Sequence, residues 1–171
     1  MKNETVMAWH FTGAKLRDGR ALPAIGEPLR HVGRLVICHS GLHASVDPFD
    51  ALQYAPGPLL HRVRCEGVSR SREAMKHADK LVCGTRTIVA TIDATALLRR
   101  FACDQARNAL ASVGVTPPDL VAEYLSTGDE KLWDAAWDAA WDAARDAAWA
   151  AAWDAARSDF NARVLAAFGG A

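Results

Sequence analysis

Residues 81–93 read LVCGTRTIVATID, and this stretch decides the fold class. Its Val, Ile and Thr predict a strand, with a bend or break at Gly84. Upstream, LLHRVRC at 59–65 alternates like a half-buried strand. TVMAWHF at 5–11 predicts a first strand, and RLVIC at 34–38 a short buried one. Between them KLRDGRALP holds an Asp18-Gly19 turn, a hairpin signal. After SGLHAS, Asp47 as N-cap and Pro48 at N1 open a short helix to about Tyr54. Ala55-Pro56-Gly57-Pro58 stops it. Residues 66–80 are polar and charged, and predict a loop. Residues 1–93 are therefore expected to form an α+β head, a small mixed or antiparallel sheet with short helices.

Residues 94–126 predict connecting helices. Asp93 or Thr95 caps one through Ser112, Val113–Thr116 links, and Pro117-Pro118 opens a second to Leu125. Thr127-x-x-Glu130 reads as a capping box launching a long helix over 127–168, with Gly169-Gly170 ending it. That helix carries a four-residue repeat, WDAAWDAAWDAARDAAWAAAWDAAR, from Trp133 to Arg157. Its marked positions are Trp133, Trp137, Trp141, Arg145, Trp149, Trp153 and Arg157. Alanine at this density means helix, because it gives up no side-chain entropy. Four residues advance about 40° past a full turn, so the stripe swings by roughly 240° over the repeat. Either the helix supercoils right-handedly, or its rings meet different partners around its circumference. Arg145 between Trp141 and Trp149, and Trp153 over Arg157, are candidate cation–π contacts. Asp142–Arg145 and Asp154–Arg157 are candidate ion pairs. Three readings stay open: packing on the head, self-association, and capture of a foreign protein. The spaced Asp residues exclude a membrane span, and the acidic polar face argues against a surface-lying membrane helix.

The net charge is zero, but it is unevenly spread. Residues 1–132 hold 17 Lys and Arg against 14 Asp and Glu; residues 133–171 hold 3 against 6. Neither part has the basic stripe of a general nucleic-acid binder. MKNETVMAWHF lacks the apolar core of a signal peptide, so a cytoplasmic setting is expected, with Cys38, Cys65, Cys83 and Cys103 reduced. Cys38 and Cys83 read as small core residues. Cys38, His39 and His43 match no structural zinc spacing, and no metal is expected. No Walker loop, GxSxG or HExxH occurs.

The string CHSGLHASVDPFDALQYAPG at 38–57, preceded by WHFTG and LRDGR and followed by DKLVCGTRTIVATIDA, resembles a family of uncharacterised bacteriophage and bacterial proteins. The resemblance rests on Cys38, Gly41, Leu42, His43, Ala44, Ser45, Pro48, Asp50 and Tyr54. Some members also end in Ala-rich repeats with Trp, Arg and Asp. The resemblance implies a phage or prophage origin and supplies no mechanism.

A second similarity, to ADP-ribosyltransferase-type folds, rests on His10-x-Thr12, then Ser45, then Ala51 and Tyr54. There, a first-strand His and a nearby hydroxyl hold the ribose and nicotinamide of NAD, and a Glu stabilises the oxocarbenium-like transition state. No Glu takes that place here: Glu66 and Glu73 fall in the polar loop, and the next strand offers Arg86 and Thr87. The gap argues against transfer and leaves a pocket that binds a nucleotide without turning it over.

Candidate ligand-binding residues are thus His10, Thr12, His43, Ser45 and Tyr54. Each has a plainer reading. His43 can be a hydrogen-bonded turn residue, His10 can point outward, Tyr54 can be core, and Asp50 can finish a cap. Arg62 and Arg64 read as a solvated strand face, and Arg70, Arg72, Lys76 and Lys80 as a solvated basic loop. Two functions stay open. One is a non-catalytic accessory binding protein without cofactor, its head taking a nucleotide-like ligand or a host protein. In this reading the tail drives homo-oligomerisation or host-protein binding, and the implied origin points to interference with host defence. The other is an ADP-ribosyltransferase-like enzyme using NAD.

Overall fold

The computed structural model describes residues 5–132 and 151–169. The chain is α+β, built on a five-stranded antiparallel sheet. Strands β1 (Thr5–Thr12), β2 (Pro28–Arg30), β3 (Leu42–Ala44), β4 (Leu59–Val68) and β5 (Leu81–Asp93) run in the order β1-β4-β5-β2, and β3 also pairs with β5. Helix α1 (Pro48–Leu52) joins β3 to β4, and a 3₁₀ turn (Ala74–Lys76) lies between β4 and β5. Helices α2 (Thr95–Ser112) and α3 (Asp119–Thr127), a 3₁₀ turn (Glu130–Leu132) and helix α4 (Ala151–Gly169) follow. Two compact units result: residues 1–94 with 164–171, and residues 95–163. No helix among the described residues is long and apolar enough to cross a membrane.

In the first unit β4 and β5 pair along nearly their whole length, from Leu59↔Asp93 to Val68↔Cys83. β5 is unbroken at Gly84; the irregularity lies instead at Arg62/Val63, where β5 carries one extra residue. The short segment 42–45 then reaches both edges. Residues 42–44 pair with β5, and Ser45 exchanges both backbone hydrogen bonds with Trp9 of β1, at 2.7 and 2.9 Å. The sheet closes on itself through that one residue. Ala8, Ala44, Val63, Cys65, Cys83 and Ile88 form an apolar cluster within it. Trp9 meets Phe168 edge to face, with ring centroids 5.0 Å apart.

The expected strand at 34–38 is a turn. Val36 and Ser40 exchange backbone hydrogen bonds at 2.8 Å, and Cys38 adopts φ 67°. Its apolarity has another cause: Ile37, with Leu35 beside it, packs on Ala74 and Val82. Cys38 is exposed rather than core. The strand falls a few residues later, after Gly41 at φ 123°. A Cβ there would sit 2.4 Å from Val82 Cγ2 and 3.0 Å from Leu35 Cδ2, so only glycine fits. Gly57 meets a similar limit, since its Cβ would lie 2.7 Å from Gly13 Cα. The Pro-Gly-Pro loop can thus lie directly over the end of β1. Helix α1 is capped as expected, the Asp47 carboxylate accepting from Phe49 N–H at 2.9 Å and Asp50 N–H at 3.4 Å.

In the second unit Cys103, Leu110, Val121, Tyr124 and Leu125 form the core between α2 and α3. Phe101 and Phe160 meet edge to face at 5.0 Å. Burying Phe160 fully contributes about 1.5–3 kcal/mol. Asp104 gathers three arginines, Arg163 at 2.8 Å, Arg107 at 3.3 Å and Arg100 at 3.6 Å. The expected capping box does not form. Thr127 is the last residue of α3, its hydroxyl donates to Glu123 O at 2.9 Å, and Gly128 at φ 66° ends the helix. The repeat positions Trp133, Trp137, Trp141, Arg145 and Trp149 lie outside the described residues. Trp153 and Arg157 lie on α4, Trp153 exposed and Arg157 half-buried.

Candidate functional site

An open cavity of about 650 Å³ lies in the first unit, lined by β1, the loop after it and the segment around β3. One wall is β1, which contributes His10 and Thr12; β3 and the next residue add His43 and Ser45; Tyr54, just beyond α1, stands at the rim. All five candidate ligand-binding residues therefore line one cavity. Ser45 is placed beside β1 by its backbone pairing with Trp9, and His43 by the pairing of β3 with β5.

His61, 1% exposed and directly opposite His10 on β4, sits behind this wall. Its Nε2 lies 2.8 Å from the Thr12 hydroxyl and its Nδ1 2.8 Å from the Thr91 hydroxyl. Burial, then the nearby Arg86 charge, pushes its pKa down to about 4, so the ring is neutral at pH 7. A neutral ring donates from one nitrogen and accepts at the other, so one threonine donates to it and the other accepts. His10 is held well below its usual range by burial first, then by Arg86, His61, His43 and Arg17. His43 is lowered by burial, Lys80 and Arg86; its Nε2 accepts the Cys38 N–H at 3.0 Å. The cavity therefore presents neutral imidazoles among fixed cations.

Arg86 is the residue that sequence reading left out of the site. It is 7% exposed, lies on β5, lines the cavity and donates to the carbonyl of His43. No carboxylate pairs with it among the described residues. A signal was present: it is the one charged residue in the apolar run 81–92. Lys80, read as part of a solvated loop, instead lines the cavity. Its ammonium lies 4.6 Å from the Tyr54 ring centroid and 3.2 Å from the Tyr54 hydroxyl. Tyr54 is exposed rather than core, its hydroxyl donating to Asp79. Arg62 stacks on Trp9 at 4.4 Å instead of standing free in solvent.

Lys15, Arg17 and Arg20, from the loop after β1, complete the basic lining. The one carboxylate among the described lining residues is Asp18, tied to Arg20 at 2.7 Å. Glu66 pairs with Arg64 at 3.4 Å and Glu73 with Lys76 at 2.9 Å, and neither lines the cavity. No group of three or more His, Cys, Asp or Glu among the described residues is placed to hold a metal ion.

A family model described as a domain of unknown function, DUF7666, matches residues 6–100, more than half the chain and every cavity residue named above. No curated protein and no solved structure matches the chain. By the extent of that match, the protein belongs to the DUF7666 family.

Proposed function

We propose that the head is a non-catalytic binding module whose cavity takes a small anionic ligand of nucleotide size. Arg86 is the observation that supports this reading most directly. A buried guanidinium without a carboxylate partner costs several kcal/mol, and an anion seated beside it offsets that cost. The rest of the lining agrees. Five Lys and Arg side chains face one carboxylate, and about 650 Å³ falls within the usual range for small-molecule sites.

The alternative is an ADP-ribosyltransferase-like enzyme using NAD. It draws on His10, Thr12 and Ser45 lining one cavity. Stabilising an oxocarbenium-like centre calls for a carboxylate beside the sugar. Asp18, already paired with Arg20, is a poor substitute, which favours binding over turnover. For the tail the support is sequence alone: its Trp stripe suits self-association or a host protein, and multimerisation would raise the head's avidity. In a phage setting such a module would sequester a host ligand.

Thermal denaturation with inorganic pyrophosphate tests the binding reading. The account expects a rise in Tm for the wild type and none for Arg86→Gln. Incubation with labelled NAD is expected to release no nicotinamide. Release abolished by His10→Ala would favour the enzyme.

A further inference from the structure

We infer that Thr12, His61 and Thr91 form a two-way proton relay between the cavity and the solvent beyond the sheet. The relay goes beyond the anion-binding reading and does not depend on it: two hydrogen bonds and the register of three strands carry it.

Strand pairing sets the three side chains on one face. His61 of β4 lies between His10 of β1 and Thr91 of β5. Side chains alternate along a strand, so Thr12, two residues on from His10, shares that face. His61 reaches diagonally to the Thr12 hydroxyl and across to the Thr91 hydroxyl, both at 2.8 Å. The two ends differ in their surroundings. Thr12 is buried and lines the cavity, whereas Thr91 is exposed and is not among the described lining residues. His61 is 1% exposed, so bulk water has almost no direct access to its ring. Among the described residues the two hydroxyls are its hydrogen-bond partners.

Hydroxyls at both ends make the path reversible. A neutral imidazole carries one N–H, on Nδ1 or Nε2, and a hydroxyl both donates and accepts. In one arrangement Nδ1–H donates to Thr91 and the Thr12 hydroxyl donates to Nε2. In the other, Nε2–H donates to Thr12 and the Thr91 hydroxyl donates to Nδ1. Each keeps both bonds, whereas a carbonyl or carboxylate at either end would fix one tautomer. Proton passage is the conversion of the first arrangement into the second. Thr12 takes a proton from a ligand and hands its own to Nε2. The Nδ1 proton moves to Thr91, which releases its own to water. The ligand loses one proton, the solvent gains one, and His61 ends neutral as the other tautomer. The reverse sequence brings a proton to the ligand. The ligands served are those with a dissociable proton near neutral pH, such as a phosphate ester with a second pKa of about 6.

The ring nitrogen resonances of His61 test this in the full chain labelled with ¹⁵N-histidine, assigned by their loss in His61→Gln. At pH 7 the free protein is expected to hold both tautomers in a ratio within about tenfold of unity, since both make the same kinds of bond. A single tautomer in the wild type would overturn the relay, because one fixed N–H is what a purely structural histidine shows. Thr91→Val changes an exposed residue at nearly constant shape and is expected to leave the fold intact. It is expected to favour Nε2–H by at least about tenfold, since an N–H facing valine has no acceptor. Thr12→Val is expected to favour Nδ1–H by about as much. Thr91→Ser should keep the wild-type mixture. Solvent exchange of the ring N–H tests the two exits separately. With one threonine replaced by valine, exchange through the other is expected to stay within about tenfold of wild type, because no opening of the strands is required. Slower exchange in Thr12→Val would close the Thr91 exit, and slower exchange in Thr91→Val the cavity exit. Either result would overturn the relay.

Discussion

Arg86 donates a hydrogen bond to the backbone carbonyl of His43, so the buried cation of β5 is anchored to the strand beside it. The same guanidinium depresses the neighbouring His10, His43 and His61. Much of the cavity's character follows from this one side chain.

Replacing Arg86 separates stability from binding. Arg86→Gln removes a desolvated charge while keeping a donor for the His43 carbonyl. Stability of the ligand-free protein is expected to stay within about 1 kcal/mol of wild type in urea melts. Pyrophosphate binding is expected to vanish in the same variant. A loss of more than about 3 kcal/mol would make Arg86 a structural residue.

Acid should weaken the fold through His61. Its folded pKa of about 4 lies below the unfolded value near 6.5, so the unfolded state takes up the proton first. The resulting stability is present above about pH 6.5 and is lost as pH falls toward 4. Between pH 7.5 and 5 the loss is about 2 kcal/mol. His10 shifts in the same direction and adds to it. Urea melts at the two pH values measure the loss, and His61→Gln should flatten the dependence.

Ligand binding should run opposite to that trend. An anion among the imidazoles raises the pKa of His10 and His43, which burial and nearby cations hold down. Binding then takes up protons, and affinity rises as pH falls from 7.5 to 6. Titration in buffers of different ionisation enthalpy counts those protons, and zero uptake would place the anion away from both rings.

Gly41→Ala is expected to cost about 2–4 kcal/mol, since the new methyl meets Val82 in a backbone region side chains avoid. Because β3 carries His43 and leads to Ser45, any residual folded protein should bind anions poorly.

The fold was legible where pattern and pairing coincide. The alternation of 59–65 and the β-branched run 81–93 became the central strand pair, and Asp47-Pro48 opened α1 as its capping chemistry dictates. RLVIC misled because apolarity marks burial and not extension: Ile37 is buried in a turn forced by the left-handed Cys38. Thr127-x-x-Glu130 misled because Gly128 ends a helix at the point where the motif would begin one. His10, Thr12, His43, Ser45 and Tyr54 were nameable from short motifs, and closure through Trp9 and Ser45 gathers them. The cations were not, because Arg17 lies far in sequence from Lys80 and Arg86, and the three line one cavity only in the folded sheet.

The most direct test of the central claim is the side-chain Nε–Hε resonance of Arg86 in ¹⁵N-labelled protein, assigned by its loss in Arg86→Gln and followed during pyrophosphate titration. A saturable shift of that resonance, larger than those of the surface arginines, is the predicted result. Shifts confined to surface arginines, with Arg86 unmoved at saturation, would contradict an anion site built on Arg86.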